Sequence, residues 1–293
     1  MTNGAISPPQ VTNAMSVDVE DYFQVGAFET TVSRDDWPAF ESRVVRNTER
    51  SLDLFARHNV RATFFTLGWV AEREPALIRR IVDAGHEIAS HGYAHDRVHG
   101  FDRSAFCADL RRARALIEDA AGMAVRGYRA PSFSIGRTNA WALEVLAEEG
   151  YAYSSSVAPI RHDHYGWPDA PRFVHRPVAG SPMLEIPVTT VEYAGRRMAC
   201  GGGGFFRLLP YRLSEWAIDR VNRVDGASTL FYFHPWEIDA DQPRIAGAPL
   251  KSRIRHYTNL GVMEEKLDRL LQRFRWDRMD RVFLDDAATR LAA

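Results

Sequence analysis

The strongest constraint on the fold is the regular alternation of short apolar strand signals with amphipathic helical ones. Ala62-Thr63-Phe64-Phe65-Thr66-Leu67 is an apolar run of strand length, which suits a strand covered on both faces. A helical pattern precedes it over residues 43–58, with Val44, Thr48, Leu52 and Phe55 on one side. A second helix starts near Pro75 and stops at Gly85, and residues 87–90 then read as a strand. The cycle repeats with a helix over 104–121, capped by Ser104 and stopped by Gly122, and a strand over 126–129. A helix over 139–149 and a strand over 151–154 follow. Further on, helices are expected over 213–224 and 263–274, with a strand over 229–233 between them. Strand–helix units joined by short loops build a parallel sheet, open or closed into a barrel.

The 293 residues are enough for one large core, and no linker composition divides them, so a single domain is expected. Residues 1–14, with Pro8-Pro9 and small polar neighbours, read as a flexible tail ahead of a domain over 15–293. They lack the basic start and apolar stretch of a secretion signal, and no apolar run approaches the roughly 20 residues of a membrane span. The expected location is therefore the cytoplasm, or its membrane periphery. Acids and bases nearly cancel, 38 against 37, with arginine dispersed, so nothing points to nucleic acid as a partner. The two cysteines, Cys107 and Cys200, exclude a disulfide scaffold.

Chemistry concentrates at the strand ends. His91 and His95 follow the strand at 87–90 and stand four residues apart, a spacing that on a helical turn lets two imidazoles grip one divalent ion. The N-terminal strand, over 15–19, runs into Asp18, Glu20 and Asp21, more negative charge than a solvated turn explains. A carboxylate added to two histidines suits a catalytic metal with open positions. Arg129 ends its strand ahead of a rigid Pro131 turn and can hold a carboxylate by a forked hydrogen bond. His234 closes the apolar run 230–233 and suits a proton donor or acceptor. The long loop over 161–178 carries His162, His164, Trp167 and His175. The run Gly201-Gly202-Gly203-Gly204 is too glycine-rich for a helix or a strand interior and lacks the Lys and Ser/Thr of a phosphate loop.

These motifs, in this order, resemble the polysaccharide deacetylases of carbohydrate esterase family four, and most closely the subgroup linked to exosortase and exopolysaccharide. The resemblance runs from Met15 into the last helix. It rests on Ser-Val-Asp-Val-Glu-Asp-Tyr-Phe from Ser16, Gly-His-Glu-Ile-Ala-Ser-His-Gly-Tyr-Ala-His from Gly85, Arg-Ala-Pro-Ser-Phe-Ser from Arg129 and Phe-His-Pro-Trp-Glu from Phe233. Leu184-Glu185-Ile186-Pro187 and the segment from Gly201 to Pro210 resemble the subgroup, and Tyr153-Ser154-Ser155-Ser156 resembles a groove motif more weakly. The resemblance implies an α/β fold, a distorted and incomplete (β/α) TIM-like barrel, with a subgroup extension at the C-terminal end. It also implies metal-dependent removal of N-acetyl groups from N-acetylhexosamine in a glycan, with zinc as the default ion. By position, His91 and His95 would be metal ligands, Asp18 the general base, Arg129 its orienting partner and His234 the general acid. Many relatives have two adjacent aspartates in the first motif, whereas this chain reads Asp18-Val19-Glu20-Asp21, so the third ligand is Glu20 or Asp21, with Asp21 preferred if the strand turns after Val19. A backbone N–H near Phe133 would steady the oxyanion, and Tyr22, Phe133, Trp167 and Trp236 would stack on sugar if exposed, with core packing the default for each. Two rivals are an amide hydrolase for a small cyclic amide or ureide, and a non-catalytic glycan-binding protein. Oligomeric state is not specified by these features.

Overall fold

Strand alternation decides the layout. In the computed structural model, which describes residues 11–161 and 166–285, β1 (Thr12–Val19) turns Met15, Val17 and Val19 into the main helix-covered core. Ser16 and Asp18 point to the opposite, inner face, on the side of Ala14. The strand starts three residues before Met15, inside the stretch read as a tail.

The chain then follows the expected alternation. α1 (Val44–Arg57) precedes β2 (Thr63–Thr66), and α2 (Gly68–Arg73) with α3 (Pro75–Asp83) leads to β3 (Glu87–Ser90). α4 (Arg103–Ala121), β4 (Gly127–Tyr128), α5 (Trp141–Glu148), β5 (Tyr153–Ser154) and β6 (Leu184–Glu185) continue the order. α1 buries Val44, Leu54 and Phe55 on one stripe, and Phe55 meets Phe64 edge-on at 6.0 Å. Each ring so buried contributes about 1.5–3 kcal/mol. α4 is capped by Asp102, whose side chain accepts from Ala105 N at 2.8 Å, rather than by Ser104. Gly122 stops it in the left-handed region at φ 67°.

The second half adds an antiparallel hairpin, β7 (Thr190–Tyr193) with β8 (Arg196–Ala199), which the sequence reading lacked. α6 (Gly203–Leu208) corrects the expectation that the glycine run excludes a helix. Tertiary contacts override propensity here, because Phe206 enters the main core and Tyr232 N donates to Gly201 O at 2.8 Å. α7 (Tyr211–Arg220), β9 (Leu230–Phe233), α8 (Leu250–Tyr257), α9 (Met263–Arg273) and β10 (Arg275–Asp277) complete the order.

The main sheet runs β10-β1-β2-β3-β4-β5-β6, with β9 also on β1, and its ladders are parallel. It curls into a half-barrel with helices outside. Among the described residues no ladder joins β6 to β9 or β10, so the barrel is incomplete, as expected.

Candidate metal centre

The register lines the functional residues up along one rim. Val19 pairs with Thr66, Thr66 with Ser90, Ser90 with Tyr128 and Tyr128 with Ser154. On the other side of β1, Val17 pairs with Phe233. One residue past this row lie Glu20, His91, Arg129 and Ser155, and one residue past the Val17–Phe233 pair lie Asp18 and His234, so neighbouring strand ends deliver them to the same place.

Among the described residues, Glu20, His91 and His95 form the one group of three whose donor atoms lie within 4.8 Å of one another, and all three are buried. His91 Nδ1 lies 2.8 Å from Arg129 O. Burial, reinforced by the neighbouring His95, outweighs the pull of Asp18 and brings the His91 imidazole down to about 4. The ring is therefore neutral at pH 7, with its proton on Nδ1 toward that carbonyl and a lone pair on Nε2. His95 Nε2 stands 2.9 Å from Glu20 Oε2, an oxygen that has no hydrogen-bond donor. Trp236 Nε1 donates to the other oxygen at 3.2 Å. Burial alone would raise the Glu20 carboxyl, but positive charge at His95 and His234 outweighs it and brings Glu20 to about 2. A buried carboxylate oxygen without a donor, facing two imidazoles, is a donor set that fits a divalent cation.

His95 reaches this position differently from the expectation. Residues 91–95 form a loop, not a helical turn, and His95 adopts φ 55° after Gly92 at φ 74°. Left-handed backbone at a non-glycine residue is strained and persists only where its surroundings hold it. The two imidazole rings still approach to 5.4 Å.

Asp21 is the main correction. Its Oδ2 accepts from Ser42 Oγ at 2.8 Å, Arg43 N at 2.8 Å and Val44 N at 3.1 Å, which ties it to the start of α1. Its Oδ1 accepts from Tyr22 N at 3.0 Å. β1 ends at Val19, and of the two acids that follow, Glu20 joins the histidines and Asp21 turns away to α1.

Asp18 and His234 complete the rim. Arg129 is buried and donates to Asp18 Oδ1 at 2.5 Å and to Ser16 Oγ at 2.9 Å, while its Nη2 donates to Ser155 Oγ at 3.1 Å. His234 Nε2 lies 3.5 Å from Glu20 Oε1 and 3.9 Å from Asp18 Oδ2. Burial opposes charge on His234, but Glu20 and Glu237 prevail and raise it to about 9. With a fifth of its side chain exposed, it is the member of this rim that reaches solvent.

The expected aromatic platform is not assembled. Tyr22, Phe133 and Trp236 are buried: Tyr22 packs edge-on to Phe23, Phe133 against Tyr232, and Trp236 between His234 and His256. Trp167 lines a separate surface cavity with Leu143 and Pro177. The N–H of Phe133 itself is given to Ala130 O at 3.0 Å. His175 Nδ1 turns to Phe173 O, and His162 and His164 lie outside the described residues. Sequence reasoning left Glu237 and Arg207 without a role. Glu237, three residues after His234 on one short turn, carried a signal that spacing alone could have flagged.

Fold and rim together define an α/β half-barrel protein with a metal-site donor set at its strand ends. Residues 31–154 match the family described as polysaccharide deacetylase, and residues 155–284 match a domain of unknown function. The chain is 32% identical over 103 residues to a peptidoglycan-N-acetylglucosamine deacetylase of Bacillus cereus, covering 35% of this chain and 36% of that protein. It is 40% identical over 85 residues to a chitooligosaccharide deacetylase of Sinorhizobium fredii, covering 29% of this chain and 40% of that one. The chain thus spans well under half the length of these curated relatives. A crystal structure from Mycobacterium smegmatis, assigned to the same family by name, shares the fold at a TM-score of 0.62 and 22% identity, over 97% of this chain and 93% of that one. The likeness to polysaccharide deacetylases is thus one of residues 31–154.

Proposed function

We propose that the protein is a metal-dependent hydrolase that removes N-acetyl groups from N-acetylhexosamine residues of a polysaccharide. The reading rests on one observation, the buried Glu20–His91–His95 group beside an arginine-held Asp18 and the partly exposed His234. Glu20, His91 and His95 would hold the ion, and zinc suits two imidazoles and a carboxylate. Such an ion supplies Lewis acidity that polarises an acetyl carbonyl and lowers the pKa of water.

The remaining work falls to the protein. Arg129 fixes Asp18 by one oxygen, leaving the other on the His234 side of the site. Asp18 takes a proton from the attacking water as its oxygen bonds to the carbonyl carbon. His234 gives a proton to the sugar nitrogen as the C–N bond breaks, so acetate and a free amine leave. Similarity of the Gly201–Pro210 segment to the exosortase-linked subgroup makes an exopolysaccharide the substrate we favour.

Acetate release from N-acetylglucosamine oligomers tests the reading. Release that stops with chelator and returns with zinc is the expected result. No release with zinc, cobalt, nickel or manganese overturns it.

A further inference from the structure

The region of unknown function holds His234 from behind. Glu237 Oε1 lies 2.7 Å from His234 Nδ1 and accepts from His234 N at 3.2 Å. Arg207 Nε donates to Glu237 Oε2 at 2.6 Å. Arg207 is itself buried, and its other nitrogens donate to Arg255 O at 3.1 Å, His256 O at 3.1 Å and Thr258 O at 2.5 Å. A guanidinium anchored on three carbonyls of another segment cannot drift, so the carboxylate it grips is fixed as well.

The glycine run makes room for this arrangement. A Cβ on Gly203 would stand 2.4 Å from Glu237 Oε1 and 2.7 Å from Oε2, closer than real Cβ atoms come. A Cβ on Gly204 would meet no atom within 4 Å. Glycine is thus required at one position and not at its neighbour, which a mere flexible turn does not explain. Burial alone would raise the Glu237 carboxyl, but Arg207 and His234 outweigh it and hold it below the usual carboxylate range. An ionised carboxylate only accepts, so His234 Nδ1 donates to it and Nε2 is directed toward Glu20 and Asp18.

We infer that Gly203, Arg207 and Glu237 form a positioning device for His234, in which Gly203 opens the seat, Arg207 pins the carboxylate and Glu237 sets the ring's tautomer and direction. The role of His234 in this inference rests on the proposed deacetylase reading. The device gives the segment over 155–284 a part in the same centre.

The test compares Gly203→Ala with Gly204→Ala in the full chain. Three quantities are read: kcat and KM for acetate release, zinc affinity by calorimetry, and the ¹⁵N imidazole spectrum of His234. A displaced carboxylate lets the ring turn, and misplacement on the order of 1 Å can lower a rate about 10²-fold. Gly203→Ala should therefore lose about 10²-fold in kcat with KM and zinc affinity little changed, and should lose the Nδ1–H signature. Gly204→Ala should match the wild type in all three. If Gly203→Ala matches Gly204→Ala in both kcat and spectrum, the inference is overturned. If the wild type releases no acetate, the functional reading fails instead, and the His234 spectrum alone decides the positioning.

Discussion

Glu20 and Asp21 are adjacent acids with different surroundings, and replacing each in turn tests the architecture of the centre. Asp21 accepts four hydrogen bonds, from Ser42 Oγ, Arg43 N, Val44 N and Tyr22 N. Each such bond contributes about 0.5–1.5 kcal/mol net, and a buried donor left without a partner costs about 1–3 kcal/mol. Val44 and Tyr22 are buried, whereas the Ser42 and Arg43 ends can reach water. Asp21→Ala should therefore destabilise the fold by about 2–4 kcal/mol. In a chain of this size about 1 kcal/mol moves Tm by roughly 2 °C, so melting in chelator should fall by roughly 4–8 °C. Zinc affinity should hardly change, because Asp21 is not among the converging donors. Glu20→Gln should do the reverse. Its shape is kept and Trp236 Nε1 retains an acceptor, so melting in chelator shifts less, while zinc affinity falls by more than the about 10–100-fold typical of an outer-shell partner. Thermal melts followed by circular dichroism and zinc calorimetry read both effects. Loss of zinc binding in Asp21→Ala at unchanged Tm, with normal binding in Glu20→Gln, would refute the reasoning.

His234→Ala should lower kcat for acetate release by about 10²–10⁴-fold with metal content near normal, and full retained activity would remove its role as acid. Arg129→Ala leaves Asp18 buried without its partner, so unfolding in urea should show a loss of about 3–5 kcal/mol; a loss below about 1 kcal/mol contradicts the assignment. His86 gives a pH signature: burial first, then Arg61 and Arg278, bring it from the ordinary 6.5 to about 4. The unfolded chain binds more protons between those values, so this stability is present above pH 6.5 and lost as pH falls toward 4, by about 3 kcal/mol at most. His86→Gln keeps an acceptor for Ala62 N and should flatten that slope in urea titrations at pH 7 and 4.5; an unchanged slope refutes it.

The fold was legible wherever burial imposed a period. Phe64 and Phe65 sit on opposite faces of β2 as their apolar run requires, and α1 and α3 follow their stripes to within two residues at most ends. Pairing was less visible in short elements. β4, β5 and β6 are two residues long, and β10 lies after a helix with no local signal, so their places depend on partners rather than on pattern. The same limit applies at the centre. His91, Arg129 and His234 could be found because each ends an apolar strand, but Glu20 against Asp21 turned on whether the chain bends after Val19. The anchor that decides it, Ser42 with the first residues of α1, is twenty-one to twenty-three residues away in sequence. Aromatics misled for a related reason: Tyr22, Phe133 and Trp236 lie next to the functional groups in sequence but pack beneath them.

The position of β1 explains why the centre needs both matched segments. Its C-terminal half is hydrogen-bonded to β2, and it receives β9 at Ala14–Val17. β2 and β3 bring the histidine loop from residues 31–154, whereas β9 brings His234 from residues 155–284. Asp18 and Glu20, at the end of β1, therefore stand between the imidazoles that form the donor set and the imidazole that faces solvent. That placement puts Glu20 2.9 Å from one side and 3.5 Å from the other, so a single carboxylate contacts both groups. His234, set by β9, and the histidine loop, carried by β3 and joined to β1 through β2, are brought into registration by β1, which β9 and β2 flank. The parallel ladders on β1 thus do the aligning, which is why the chemistry sits at their C-terminal ends.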